Sequence, residues 1–187
     1  MQRLFCYADE TGQDTQGRFF LVVVVITEQA VKDQLSAKLT AIEWRTGKRS
    51  IPWHRINYRL RLAYLAELAN LPSLTGVLFA ATYQHDPRPY LTLTGEAIAK
   101  AVQAVVTGPY HLTVVIDGLN AAEQRYVIKE FRHRTIRFRK VVGMADEQSE
   151  FLRLADAVAG FLRDVAEGSP YTKDPKAQRA LALVRRL

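Results

Sequence analysis

Residues 19–26 form a run of eight consecutive residues without a polar side chain, four of them valine. Successive side chains of a strand point to opposite faces, so a segment apolar at odd and even positions alike must be covered on both sides. Residues 18–27 therefore read as a central strand. The same run is the longest of its kind in the chain and falls far short of the ~20 residues that a membrane helix needs, so no membrane association is expected.

The other elements arrange themselves around this strand. Residues 3–8 alternate loosely and read as a first strand ended by Thr11-Gly12, and Gly12, Asp14 and Gly17 suit a hairpin with a longer loop. Val31, Leu35, Leu39 and Ile42 recur at helical spacing over residues 28–46, and a second helix is expected over residues 58–69, after a basic, proline-bearing break at 47–53. Strands are predicted over 74–83, 111–116 and 135–142. Helices are predicted over 91–106, from the N-cap Asn120 to about 134, and over 146–167 with Asp146 as its N-cap and Glu147 in its first turn. The basic tail from Tyr171 is expected to add one short helix. The result is an α/β protein, a mixed five-stranded sheet flanked by helices. Its 187 residues make one domain: opening strands 1–27, a helical insertion 28–70, an α/β core 71–168 and a basic C-terminal tail 169–187.

Charge narrows the function. The formal net charge is +7, and it is unevenly spread. Residues 45–61 carry Arg45, Lys48, Arg49, Arg55, Arg59 and Arg61 with no acid, and residues 125–140 carry seven cations, Arg132 and Arg134 among them, against Glu130 alone. Such blocks serve either as solvated faces or as a phosphate-binding surface for RNA or DNA, and the arginine bias suits the second because guanidinium meets phosphate oxygens bidentately. His54 sits inside the first block, where it can contact substrate or simply occupy a surface loop. Cys6 is the only cysteine and nothing before Asp9 and Glu10 resembles a signal peptide, so a reduced, cytoplasmic setting is expected. No Gly-rich phosphate loop, zinc-type Cys/His spacing or serine nucleophile elbow occurs.

Three carboxylates interrupt apolar runs. Asp9, followed by Glu10, ends the first strand; Asp117 directly follows Val114-Val115-Ile116; Asp156 lies within Leu154-Ala155-Asp156-Ala157-Val158. A buried carboxylate is costly unless paired with a cation. On a helical projection Phe151, Leu154, Ala155, Val158, Leu162 and Val165 form the apolar arc, and Asp156 flanks it in line with Ser149, Arg153 and Gly160. That polar, small-residue stripe suits a site wall or an ordinary helix boundary. Acids from two strand ends and one helix can converge at a sheet edge, where Mg²⁺ or Mn²⁺ takes such oxygen ligands.

The opening Tyr7-Ala8-Asp9-Glu10-Thr11-Gly12 and the stretch Ser149 to Gly160 (SEFLRLADAVAG) resemble the first strand and closing helix of the bacterial domain of unknown function 3800 proteins. The strand end Val115-Ile116-Asp117-Gly118 matches that family's middle acidic position less specifically. The resemblance implies a ribonuclease H-like fold with Asp9, Asp117 and Asp156 as catalytic metal ligands and Glu10 as an accessory acid. Thr11 stands where the family has serine and Arg153 where it has glutamine. An arginine one turn before Asp156 either pairs with it, weakening metal binding, or binds phosphate. The leading expectation is a Mg²⁺- or Mn²⁺-dependent nuclease whose backbone contacts come from Arg45, Lys48, Arg49, His54, Arg55, Arg132, Arg134 and Arg153. The rivals are a non-catalytic nucleic-acid-binding module of a bacterial defence or toxin system, with Arg153 neutralising the site, and a structural protein whose basic faces meet an acidic partner.

Overall fold

The computed structural model describes residues 1–15 and 18–187. Its sheet has six strands in the order β5-β4-β1-β2-β3-β6: β1 (Gln2–Thr11), β2 (Phe19–Glu28), β3 (Leu78–Gln84), β4 (Tyr110–Asp117), β5 (Lys140–Met144) and β6 (Val184–Arg186). β1, β2 and β3 form an antiparallel meander, β4 and β5 add in parallel beside β1, and β6 adds in parallel beside β3. The valine-rich run is β2, in the interior of the sheet and buried from Phe20 to Thr27 as its two-sided apolar pattern requires. Of the glycines expected in the β1–β2 hairpin, Gly12 ends β1 with φ +96°, while Gly17 lies outside the described residues.

The sixth strand corrects the five expected. Residues 169–187 are no appended tail: helix α6 (Pro175–Leu181) packs on α2 (Tyr58–Ala69), and β6 then pairs with residues 78–80 of β3. Three residues, two of them arginine, carry no period-2 signal, so only the pairing defines this strand. Two other boundaries shift for local reasons. β3 starts at Leu78 because Pro72–Leu74 closes a 3-10 turn first. β5 starts at Lys140 because Thr135, with φ +56°, turns the chain out of α4 (Ala121–His133).

Helices cover both faces. α3 (Tyr90–Val105) and α4 pack Ala97, Val102, Val127 and Phe131 on Cys6, Val22, Val24 and Val114. On the other face α1 (Gln29–Thr46), α2, α5 (Glu150–Ala166) and α6 cover Tyr7, Val23, Val25 and Val115. Caps follow the sequence where side chains allow. Asn120 is the N-cap expected and also makes a capping box with Glu123, and Asn57 caps α2 by accepting from the Leu60 N–H at 3.0 Å. α5 departs from expectation. Asp146–Gln148 is a separate 3-10 turn, and Ser149 is the N-cap, its Oγ accepting from the Phe151 N–H at 3.3 Å. Among the described residues no helix is long and apolar enough to cross a membrane.

Candidate active site

The parallel β1–β4 pairing sets the site. Ala8 pairs with Ile116, so Asp9 and Asp117 follow side by side at the same end of the sheet. Two residues back on each strand, Tyr7 and Val115 lie in the core layer beneath α5, so alternation puts both aspartates on that face. α5 runs over β1 with Phe151 stacked on Tyr7 at 4.7 Å, which brings Asp156, one and a half turns on, toward the strand ends. Asp9, Glu10 and Asp156 line one cleft of about 440 Å³ together with Trp53, His54, Arg61 and Asp164. Asp9, Glu10 and Asp117 line a second, of about 300 Å³, with Gln13, Tyr90 and Glu123. Asp9 and Glu10 are the partition between the two.

Electrostatics confirm that these acids feel one another. Burial, then the carboxylates of Glu10, Asp156 and Asp117, push the Asp9 carboxyl well above the ordinary range; the Glu10 N–H at 2.8 Å from its Oδ1 offsets part of this. Burial and the Asp117 charge raise Glu10 to about 7, opposed by the Gln13 amide on its Oε1 at 2.9 Å. Its Oε2 is buried and has no partner. Asp117 is raised by burial and by Asp156, against the backbone N–H groups of Asp146 and Gly118. Asp156 is raised by burial and lowered by the Trp53 N–H, Lys48 and His54.

Asp9, Glu10 and Asp117 are destabilised by neighbouring carboxylates and Asp156 by burial, and one buried oxygen lacks a donor. Hard oxygen donors left in that condition fit a hard divalent cation. As they stand, no three His, Cys, Asp or Glu side chains among the described residues are gathered closely enough to enclose one.

The helical insertion builds the wall behind Asp156. Trp53 is buried at 2% exposure; its backbone N–H donates to Asp156 Oδ2 at 2.9 Å and its Nε1 donates to Asp164 Oδ2 at 2.9 Å. Gly160 makes this possible, since a Cβ there would lie 2.2 Å from Trp53 Cδ1. Arg61 closes the cluster, paired with Asp164 at 2.9 Å and lying over the Trp53 ring at 5.2 Å.

The basic residues divide sharply. His54 and Arg55 are exposed beside Trp53, and His54 lines the acid cleft. Arg45 pairs with Glu67 at 2.7 Å, and Arg49 is exposed with its guanidinium over Trp44 at 4.6 Å. Lys48 cannot touch nucleic acid. It is fully buried, with Nζ on the Ile51 carbonyl at 3.3 Å and over the Tyr64 ring at 5.2 Å, because Asp156 and Glu43 draw its charge inward. Arg153 does not pair with Asp156. It grips the buried Glu43 carboxylate through two hydrogen bonds of 2.8 Å and the Glu147 carbonyl at 2.9 Å. Arg132 is exposed on α4, in the layer opposite α5, and Arg134 behind it is drawn toward Glu96 and Glu130 at 3.7 and 3.6 Å.

Several cleft residues went unread in the sequence: Arg61, Arg163, Asp164 and, in the second cleft, Tyr90 and Glu123. The signal for Asp164 was present, since it continues the Asp156–Gly160 stripe by one further turn. Glu123 was legible only as a capping residue, and its second partner, the Tyr90 hydroxyl, donates across from α3 at 2.5 Å.

No family model matches the chain, and no curated protein matches its sequence. Solved structures do match its shape. Ribonuclease H2 from Pyrococcus horikoshii OT3 superposes with a TM-score of 0.56 at 12% identity, over 95% of this chain and 85% of that one. The PCNA:RNase HII complex from Archaeoglobus fulgidus matches with a TM-score of 0.51 at 16% identity, over 96% and 87%. Bst-RNase HIII in complex with Mn²⁺ matches with a TM-score of 0.51 at 12% identity, over 96% of this chain and 64% of that one. The fold is ribonuclease H-like α/β.

Proposed function

We propose that the chain is a divalent-metal-dependent nuclease, with Asp9, Asp117 and Asp156 as metal ligands and Glu10 assisting. The observation that carries this reading is the gathering of these carboxylates at one sheet edge, all of them raised by burial and Asp9 and Asp117 raised further by the neighbouring acids. It is supported by the fold shared with ribonucleases H2 and HII and with a ribonuclease HIII solved with Mn²⁺. On the same reading the chain belongs with the domain of unknown function 3800 proteins. Mg²⁺ or Mn²⁺ bound there would supply a deprotonated water and neutralise the leaving oxygen of a phosphodiester.

The chain's own residues do the rest. The Trp53 N–H fixes one oxygen of Asp156 and leaves Oδ1 free to ligate. The Glu10 N–H holds Asp9 through its Oδ1. His54, exposed at the lip of the cleft, receives the phosphate backbone.

Asp9→Asn and Asp156→Asn should each abolish Mn²⁺-dependent cleavage of RNA, DNA and hybrid substrates while leaving thermal unfolding cooperative. Full cleavage by both variants overturns the assignment. A non-catalytic binding module is the second reading, favoured by the spread of the donors among the described residues. Calorimetry separates the two, because only the nuclease requires Mn²⁺ binding that disappears with Asp9→Asn. The version of that module in which Arg153 neutralises the site loses its premise, since Glu43 holds Arg153.

A further inference from the structure

At the opposite end of the same sheet lies a cavity of about 350 Å³ with the reverse chemistry. Arg3, His111 and Arg139 line it beside Phe5, Gln29 and Thr113, and no acid does. The pairing builds it: Arg3 sits opposite His111 across the β1–β4 ladder, and the Arg139 N–H donates to the Leu112 carbonyl at 2.7 Å, which sets its side chain against the same strand. The two arginines and the imidazole are exposed, and none has an ion-pair partner among the described residues. Other arginines of this chain are spent: Arg134, Arg153 and Arg163 all face carboxylates. Lys140, opposite Thr113 on the edge strand β5, adds a third exposed charge.

The pocket and the acids lie on one face of the sheet, on which α5 covers Tyr7 and Val115 between them. Arg3 shares a sheet face with Phe5, Tyr7 and Asp9, as His111 does with Thr113, Val115 and Asp117. Along this face Thr113, Val142 and Met144 are only half-buried, whereas their alternates Leu112, Val114 and Val141 are buried beneath the α3–α4 layer. Six residues of strand separate Arg3 from Asp9, a span of about 20 Å at ~3.3 Å per residue. One phosphate recurs every ~3.4 Å along a strand of duplex, so this span is about six base steps.

We propose that the Arg3–His111–Arg139 pocket binds phosphate and anchors the nucleic-acid backbone about six base steps from the acid cleft. The inference rests on the nucleic-acid reading above and adds a length requirement to it: a substrate must reach from one end of the sheet to the other.

The test is binding in EDTA, followed by fluorescence anisotropy on Asp9→Asn protein with hairpins of about 12 and about 4 base pairs, chosen to exceed and to fall short of that reach. Adding Arg3→Ala and Arg139→Ala should weaken the long hairpin about 10-fold at 50 mM salt and lower its log K against log salt slope by about 1, the value of one lost phosphate contact, with the short hairpin unchanged. Arg3→Lys with Arg139→Lys should retain most of the affinity. Equal loss on both hairpins, or on neither, overturns the pocket while the nuclease reading stands. Calorimetric binding of inorganic phosphate, lost in the double alanine variant while both hairpins bind normally, assigns the pocket to free phosphate and overturns the backbone role. Failure of the Asp9→Asn parent to bind any hairpin overturns the pocket and the nucleic-acid reading together.

Discussion

Gly160→Ala isolates the contact on which the wall of the acid cleft depends. In an ordinary helix interior the change stabilises by about 1 kcal/mol, because glycine alone carries the extra backbone entropy. Here the new Cβ would lie 2.2 Å from Trp53 Cδ1, 2.7 Å from Cγ and 3.1 Å from Cβ, all well inside van der Waals contact. The indole cannot rotate away freely. It is buried, and its Nε1 and the Trp53 backbone N–H are both committed to carboxylates at 2.9 Å. Overpacking costs about 1–3 kcal/mol and loss of one hydrogen bond to a charged group about 1.5–3, so after the propensity gain the net loss is about 2–5 kcal/mol. For a chain of this size that lowers Tm by about 5–15 °C. Trp44, the only other tryptophan, is exposed, so a Trp44→Phe background leaves Trp53 as the sole emitter. In that background Gly160→Ala should melt lower and shift Trp53 emission to the red. A Tm at or above that of the background, with emission unchanged, refutes the close packing of Trp53 on α5.

Two further outcomes follow from buried charge. Arg153→Met should cost about 3–5 kcal/mol in urea unfolding, because it strands the Glu43 carboxylate at 4% side-chain exposure, whereas Glu43→Leu combined with Arg153→Met should recover most of that loss; strictly additive losses would contradict the pairing. The second concerns pH. Glu10 titrates near 7 when folded and near ~4.3 unfolded, so across that window the folded chain keeps a proton that the unfolded chain has released, and stability falls as pH rises. Asp9 acts in the same direction. The lowered acids Asp14, Asp86, Glu96 and Glu123 gain their stabilisation below this range. The metal-free protein should therefore melt higher at pH 5 than at pH 7.5, and Glu10→Gln should flatten the difference; a Tm that climbs over this interval refutes the crowding of the acids.

The sequence made legible what depends on local pattern. A run apolar on both sides can only be an inner strand, and β2 is one. Asn120 announced its helix because a side-chain cap acts within three residues. The stripe Asp156–Gly160 was visible as a polar flank of α5 at helical spacing, but spacing alone left it open between a site wall and an ordinary helix boundary. What was not legible is set by contacts between distant segments. Lys48 looks like any other cation of its block until Glu43, Tyr64 and Asp156 are folded around it. Arg153 and Glu43 stand 110 residues apart, and no spacing rule connects them. The strand β6 exists only because β3 offers an edge. A charge run thus reports the sum of its charges but not which of them face water.

The pairing of Arg153 with Glu43 also decides what an arginine on α5 does to the cleft. An unpaired arginine one turn from Asp156 would compete with any cation for that carboxylate. Glu43 accepts from Nε and Nη2 of Arg153, so this side chain is a strut between α1 and α5 and leaves the charge of the cleft as it was. The compensating positive charge comes from elsewhere in the insertion: Lys48, buried and drawn by Asp156, and the amide of Trp53. Together they let a carboxylate sit in a half-buried wall with one oxygen bonded and one still free. The insertion from α1 through α2 therefore acts on the cleft from behind. Its Lys48 is the clearest case of a residue whose charge is used inside the protein and not on its surface, whereas Arg55 at the lip beside His54 and Arg3 and Arg139 at the far end of the sheet are exposed.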